Sequence, residues 1–470
     1  MKRTAVINVV GLTEAVIGDQ TPKIRDFLHQ GAKASITSAF PAVTCTAQSN
    51  YLSGTTPSQH GAVGNGWYNR ELAEVQFWKQ SNRVVHGKKI WDELRALDST
   101  FTCAKLFWWY NMYSTANYSI TPRPMYPADG RKFFDIYSHP YSIREEIKKD
   151  LGEFPFPTFW GPAAGMKTPQ GEPDACSRWI AESAKWIENK YSPTLNLIYL
   201  PHLDYNLQRH GTYAGANLNP LIAPDLGQID AIVGDLISFF EKRGMQIILL
   251  SEYGITNVDT QIHLNRLFRE QGWLTIKNEL GLELLDYGAS KVFAVADHQV
   301  AHVYLNDLSL EKRVRELSEK TSGVEKVLGR EEKIAAGIQH ERAGDLIVVA
   351  KQNAWFTYYY WLDDALAPDF ARCVDIHHKP GYDPVELFLN PKIPAVKLKI
   401  FWRLLQKKLG FRMLMDVIPL DASLVKGSHG RIPENEKDFP IFITNRSELL
   451  QSGRLQSTDV YHQIKRHVLS

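Results

Sequence analysis

Hydrophobic positions along the chain fall into two alternating patterns. Short, β-branched runs recur as "TAVINVV" (4–10), "TLNLIYL" (194–200), "MQIILL" (245–250), "VFAVA" (292–296), "AHVYL" (301–305) and "DLIVVA" (345–350). Each has the length and composition of a strand buried on both faces. Between several of them the apolar residues take helical spacing, as in "GKKIWDELRAL", "DACSRWIAESAKWIENKY" and "APDLGQIDAIVGDLISFFEKRG". "TPKIRDFLHQG" carries its own punctuation: Thr21 is expected as N-cap, Pro22 in the first helical position and Gly31 at the stop. The alternation predicts an α/β fold, a parallel or mixed sheet with helices on both faces. From about 106 to 170 the pattern becomes aromatic, Pro-rich and irregular, and again from about 352 to 435. Both stretches are expected to be insertions or lids on a single domain spanning 1–470.

Composition narrows the class. The chain has 470 residues, 44% of them hydrophobic, enough for one large core. Lys and Arg number 54 against 52 Asp and Glu, so bulk charge gives no reason to expect nucleic acid, and a small ligand is the better expectation. Cys45, Cys103, Cys176 and Cys373 stand far apart without a CxxC pair, which argues against a zinc cluster or disulfide framework and for a reducing, cytoplasmic setting. No apolar run approaches bilayer length, so stable membrane insertion is not expected. "KIPAVKLKIFWRLLQKKLGFRMLMDVI" (392–418) is basic and amphipathic; a packed surface helix with a lysine face is the commoner outcome, an interfacial helix the rarer one. The oligomeric state is not readable.

In open α/β sheets the chemistry gathers beyond the carboxyl ends of the strands. The residues found there are Gly11, Thr44, Asp204, Glu252 and Tyr253, two carboxylates among them. "FPAVTCTAQSNYLSGTTPSQHG" resembles the nucleophile segment of the alkaline phosphatase superfamily, in its nucleotide pyrophosphatase/phosphodiesterase branch. "LPHLDYNLQRHG", "LSEYG" and "GSHG" follow in that family's order of metal-binding motifs. The resemblance implies an alkaline-phosphatase-like fold with a mostly parallel central sheet. It also implies a Thr nucleophile, Thr44, attacking the phosphorus of a small phosphorylated substrate held by two zinc ions, with Asp204 and His429 binding the first of them.

Five positions depart from the family's pattern. Val10 stands for an Asp, Ala47 for an Asn, Gln208 for a His, and Glu252-Tyr253 for an Asp-His pair. The remaining acidic residues, Asp204 and Glu252, balance one divalent ion. A second ion beside Val10 would lack ligands and countercharge at a cost of roughly several kcal/mol. One ion is therefore expected, zinc first with Mn or Mg as alternatives, held by Asp204, Gln208, Glu252 and His429; Thr46, Gln48 and Tyr253 are expected to face the substrate. Cys45 reads as a buried thiol, His60 as a turn residue, and His298 and His302 as satisfied imidazoles. The cluster from Asp375 to Asp383 is open between structural and ligand-binding roles. Three functions compete: a metal-dependent hydrolase of phosphoric esters or anhydrides, a pseudoenzyme that binds a phosphorylated metabolite or a partner protein, and a mutase of the same superfamily.

Overall fold

The computed structural model describes residues 1–129, 131–169 and 171–470; residues 130 and 170, inside the first expected insertion, lie outside that set. The central sheet has nine strands among the described residues. They are β1 (Thr4–Val9), β2 (Ala32–Thr37), β3 (Cys103–Leu106), β4 (Tyr118–Pro122), β5 (Ile136–His139), β6 (Leu195–Leu200), β7 (Gln246–Leu250), β8 (Ile441–Thr444) and β9 (Arg454–Gln456). Their order is β9-β2-β8-β7-β1-β6-β3-β4-β5. The middle, β7-β1-β6-β3-β4, is parallel throughout, and β8 and β5 run antiparallel to their neighbours. Every residue of β1, β6 and β7 is buried, as continuous apolar runs between two covering layers require.

The principal helices are α1 (Pro22–Gln30), α2 (Thr44–Ser53), α3 (Ala175–Tyr191), α4 (His202–His210), α5 (Ala223–Glu241) and α6 (Val396–Lys408). α1 begins and ends where its sequence says, with Pro22 first and Gly31 as C-cap, although the Thr21 side chain makes no capping hydrogen bond to the helix.

Three of the apolar runs do not join the central sheet. Val292–Asp297, Val300–Leu305, Leu346–Ala350 and Val324–Leu328 form a separate four-stranded antiparallel sheet. It has its own core, in which Trp355, Tyr358, Tyr360 and Trp361 are almost fully buried. Period alone does not distinguish a central parallel strand from a strand buried in a second layer, which is why these runs look alike in sequence. The first irregular stretch also differs from expectation. β4 and β5 extend the central sheet and a helix covers Ser142–Leu151, so part of this stretch is sheet rather than lid. The second holds short helical turns and α6, none of whose 13 residues is buried. α6 rests on the second core only through the partly buried Val396 and Ile400. Among the described residues no helix is long and apolar enough to cross a membrane.

Two chain segments distant in sequence meet at the carboxyl edge without a side chain between them. A Cβ on Gly427 would lie 2.1 Å from the Leu207 carbonyl oxygen of α4. This contact sets the short ladder Gly427–Ser428 against α4 and so places His429. Gly427→Ala is expected to cost about 1–3 kcal/mol in denaturant unfolding. Gly453→Ala, at a position where nothing lies within 4 Å, should stay within about 0.5 kcal/mol of wild type.

Candidate active site

α2 starts at Thr44, with Val43 rather than a hydroxyl residue in the capping position. Nine of its ten residues are buried, so each hydroxyl must find a partner inside. Ser49 and Ser53 donate to the carbonyls four residues back, and Thr46 donates to Ala62 O at 3.0 Å. Only Thr44 turns its hydroxyl toward the rim of the sheet, where it lies 3.1 Å from Tyr253 Oη. Tyr253 in turn donates to Asp204 Oδ1 at 3.4 Å. Thr44, Tyr253 and Asp204 thus form one chain of hydrogen bonds at the ends of three elements.

Asp204 is flanked by two further expected residues. Gln208, one turn along α4, donates its amide to Asp204 Oδ2 at 3.0 Å and contacts Tyr382 Oη through both amide atoms. Gln208 therefore presents nitrogen to the carboxylate, where an oxygen was expected to serve a metal. His429 donates through Nδ1 to Ala42 O, 2.7 Å away, and its Nε2 comes within 4.0 Å of Asp204 Oδ1. That Nε2 is buried and has no hydrogen-bond partner.

Glu252 sits on the other side. It is fully buried and its Oε1 accepts from Asn8 Nδ2 and Gln48 Nε2, both at 2.5 Å. Gln48 spends its amide oxygen on the Trp109 N–H at 2.7 Å. Of the three residues expected to face substrate, Thr46 and Gln48 are committed to internal partners and only Tyr253 belongs to the chain that starts at Thr44.

Burial sets the charge state of both acids. Desolvation raises Asp204 to about 7 and Glu252 to about 8, against the pull of their hydrogen-bond donors. Burial holds His429 and His298 well below the usual imidazole value, so both are neutral, and it raises the Cys45 thiol. A buried, protonated thiol is no nucleophile.

An aromatic pile backs the site. The Tyr253 ring stacks on His429 at 3.6 Å and 7°, His429 lies 3.7 Å from His298, and His298 stacks on Tyr382 at 3.6 Å. His298 occupies a reversal of the second sheet with φ +61°, a conformation non-glycine residues seldom take. Its Nδ1 bonds Asp297 at 2.8 Å, and Asp297 also accepts two N–H groups of Asn65. His302, by contrast, is satisfied at both nitrogens by Val63 O and Gly344 N, and His60 by Asn50 and Ala62 N. In the cluster near residue 380, Asp375 pairs with His378, while Lys379 is buried against Asp383 and Glu386. Asn8, His298 and Tyr382 were not singled out as site residues. Asn8 carried a signal: it is the polar residue inside the otherwise apolar run "TAVINVV".

The donor set decides whether these residues suit a divalent ion. Asp204 and the unpartnered Nε2 of His429 fit as two ligands of one ion. No group of three or more His, Cys, Asp or Glu that could hold a metal occurs among the described residues, so further ligands would have to be neutral oxygens. A second ion does not fit. Val10 is apolar and fully buried, and the Tyr253 hydroxyl stands between Thr44 and Asp204.

A sequence profile described as type I phosphodiesterase / nucleotide pyrophosphatase matches residues 4–383. The chain belongs to this family. His429 lies beyond the matched segment. Solved structures of similar fold include phosphonoacetate hydrolase from Sinorhizobium meliloti 1021 in complex with phosphonoacetate. It has 15% identity and a TM-score of 0.61 over 100% of this chain and 96% of that one. Murine ectonucleotide pyrophosphatase / phosphodiesterase 5, in an inactive form with AMP, has 13% identity and a TM-score of 0.57 over 100% and 95%. The human form of that protein has 13% identity and a TM-score of 0.58 over the same shares. At these identities the likeness establishes the fold, which is the alkaline-phosphatase-like architecture of the phosphodiesterase family. A comparison with curated protein sequences finds no match.

The raised carboxyl of Glu252 has a measurable consequence for this phosphodiesterase-family chain. Below about pH 4 the folded and unfolded states both keep the proton. As pH rises from there toward 8 the unfolded chain releases it while the folded chain retains it, so stability falls, and the fall ends above the folded value. Wild-type protein should lose stability in denaturant melts between about pH 5 and 8.5, and Glu252→Gln should reduce that slope, leaving the part due to Asp204. Parallel slopes would remove Glu252 as its cause.

Proposed function

We propose that the protein hydrolyses phosphoric esters or anhydrides, with Thr44 Oγ1 attacking phosphorus and one divalent ion held by Asp204 and His429. The observation that carries this reading is the hydrogen-bonded chain from Thr44 through Tyr253 to Asp204, an acid poised at about 7. A base with a pKa near the working pH is well matched to taking a hydroxyl proton. As Thr44 Oγ1 bonds to phosphorus, the bond from phosphorus to the leaving oxygen breaks and that oxygen takes a proton from solvent; the Thr44 proton passes to Tyr253 Oη and the Tyr253 proton to Asp204 Oδ1, and water then cleaves the Thr44–phosphate bond, releasing phosphate and restoring the hydroxyl. The free N–H groups at the start of α2 face the growing negative charge on the phosphoryl oxygens. His429, neutral and stacked on Tyr253, keeps the phenol in line. Gln208, itself bonded to Tyr382, holds the second oxygen of Asp204, so that Oδ1 is the oxygen left for the Tyr253 proton or for the ion.

A bound ion would supply Lewis-acid polarisation of the phosphoryl oxygen. Zinc is the first choice for a carboxylate–imidazole pair, with Mn or Mg admitted by the oxygen donors around it. The similar structures bind AMP and phosphonoacetate, which supports a small ligand carrying a phosphoryl-type group. We place the protein in the cytoplasm, a setting that suits four buried, unpaired thiols. One observation favours a second reading, a protein that binds such a ligand without turnover: Thr44 is nearly buried and already hydrogen-bonded to Tyr253.

Bis-p-nitrophenyl phosphate hydrolysis with added Zn²⁺ or Mn²⁺ separates the two readings. Wild type should turn over and Thr44→Ala should lose at least ~100-fold in kcat. Metal analysis should give about one ion per chain, falling sharply in His429→Ala. Equal trace rates in wild type and Thr44→Ala, with ligand binding intact, would establish the second reading.

A further inference from the structure

α6 wears its amphipathicity inside out. Leu398, Phe401, Trp402, Leu405 and Leu409 fall at i, i+3, i+4, i+7 and i+11, one apolar stripe, and all of it but the half-buried Leu405 is exposed to solvent. Leu398 is 66% exposed, Phe401 61% and Trp402 56%. The inward side is held by polar bonds: Lys399 and Arg403 both pair with Asp416, beside the partly buried Val396 and Ile400. A helix that turns two of its charges toward the protein and most of its apolar face to solvent lacks the partner that face was shaped for.

Charge identifies that partner. From Val396 to Met415 the chain has six basic residues and no acidic one. Lys397 and Lys408 flank the apolar stripe, and neither makes a salt bridge among the described residues. The surface continues onto a second segment. Lys407 lies over the Phe134 ring and donates to the Lys132 carbonyl, next to exposed Tyr126, Phe133 and Phe134. Arg131 covers the Phe133 ring in the same way. Aromatic and aliphatic side chains mixed with lysines and arginines match the interface of an anionic bilayer, with rings at headgroup depth and cations on lipid phosphates. A second copy of the chain would bring the same positive charge to the contact. At 13 residues α6 is too short to span a bilayer.

We propose that α6 and the segment around Phe133 form a docking surface for membranes rich in anionic phospholipid. The protein lies on the membrane through this face, independently of the chemistry proposed for Thr44.

The test is co-sedimentation of the full chain with phosphatidylcholine vesicles, with and without ~30% phosphatidylglycerol. Wild type should pellet with the anionic vesicles at low salt, and ~0.5 M salt should release it. Phe401→Ser/Trp402→Ser should weaken binding at least ~10-fold, and so should Lys397→Glu/Lys408→Glu, which leaves the apolar stripe intact. Thermal melts verify that both double variants fold, and because they alter exposed residues independently, either one suffices for the comparison. Three outcomes would overturn the proposal: no binding of wild type to anionic vesicles at low salt, equal binding by both variants, or a concentration-dependent dimer that both variants abolish in the absence of lipid.

Discussion

Asp204 and Glu252 lie inside the protein with no lysine or arginine paired to either among the described residues. Neutral donors surround them instead: two amides on Glu252, an amide and a phenol on Asp204. Uncompensated buried carboxyls are costly when ionised, so each holds its proton to unusually high pH or gains by accepting a cation. The local arrangement follows from that constraint. Tyr253 orders Thr44, Gln208 fixes Asp204, and His429 keeps one nitrogen free beside it.

The departures from the family pattern fall together on this account. Val10 offers no carboxylate to a second cation, and the Tyr253 hydroxyl bridges Thr44 and Asp204. The effect is to replace an electrostatic bridge by a hydrogen-bonded one.

Much of this was legible in sequence. The runs that became β1, β6 and β7 announced a doubly covered sheet, and the residues following them, Asp204 and Glu252-Tyr253, arrived at one edge as that topology demands. The four-stranded second sheet was not legible, because "VFAVA" and "AHVYL" satisfy the same pattern as central strands. The commitment of Thr46 and Gln48 to internal partners was hidden too. A polar side chain in a helix buried on all sides gives no sign of which neighbour will claim it. The outward apolar face of α6 had been readable as a stripe, but which side of the helix met the protein depended on Asp416, a contact no spacing rule encodes.

His298 reaches the pile of rings from the second sheet, whereas Tyr253 comes from the end of a central strand. The second sheet thus contributes His298 and the central sheet Tyr253, with His429 between them and Tyr382 beyond His298 from connecting segments. A rigid-body shift of one layer by even a single ring spacing would separate His429 from His298, so the arrangement around Thr44 is tied to how firmly the two cores are docked.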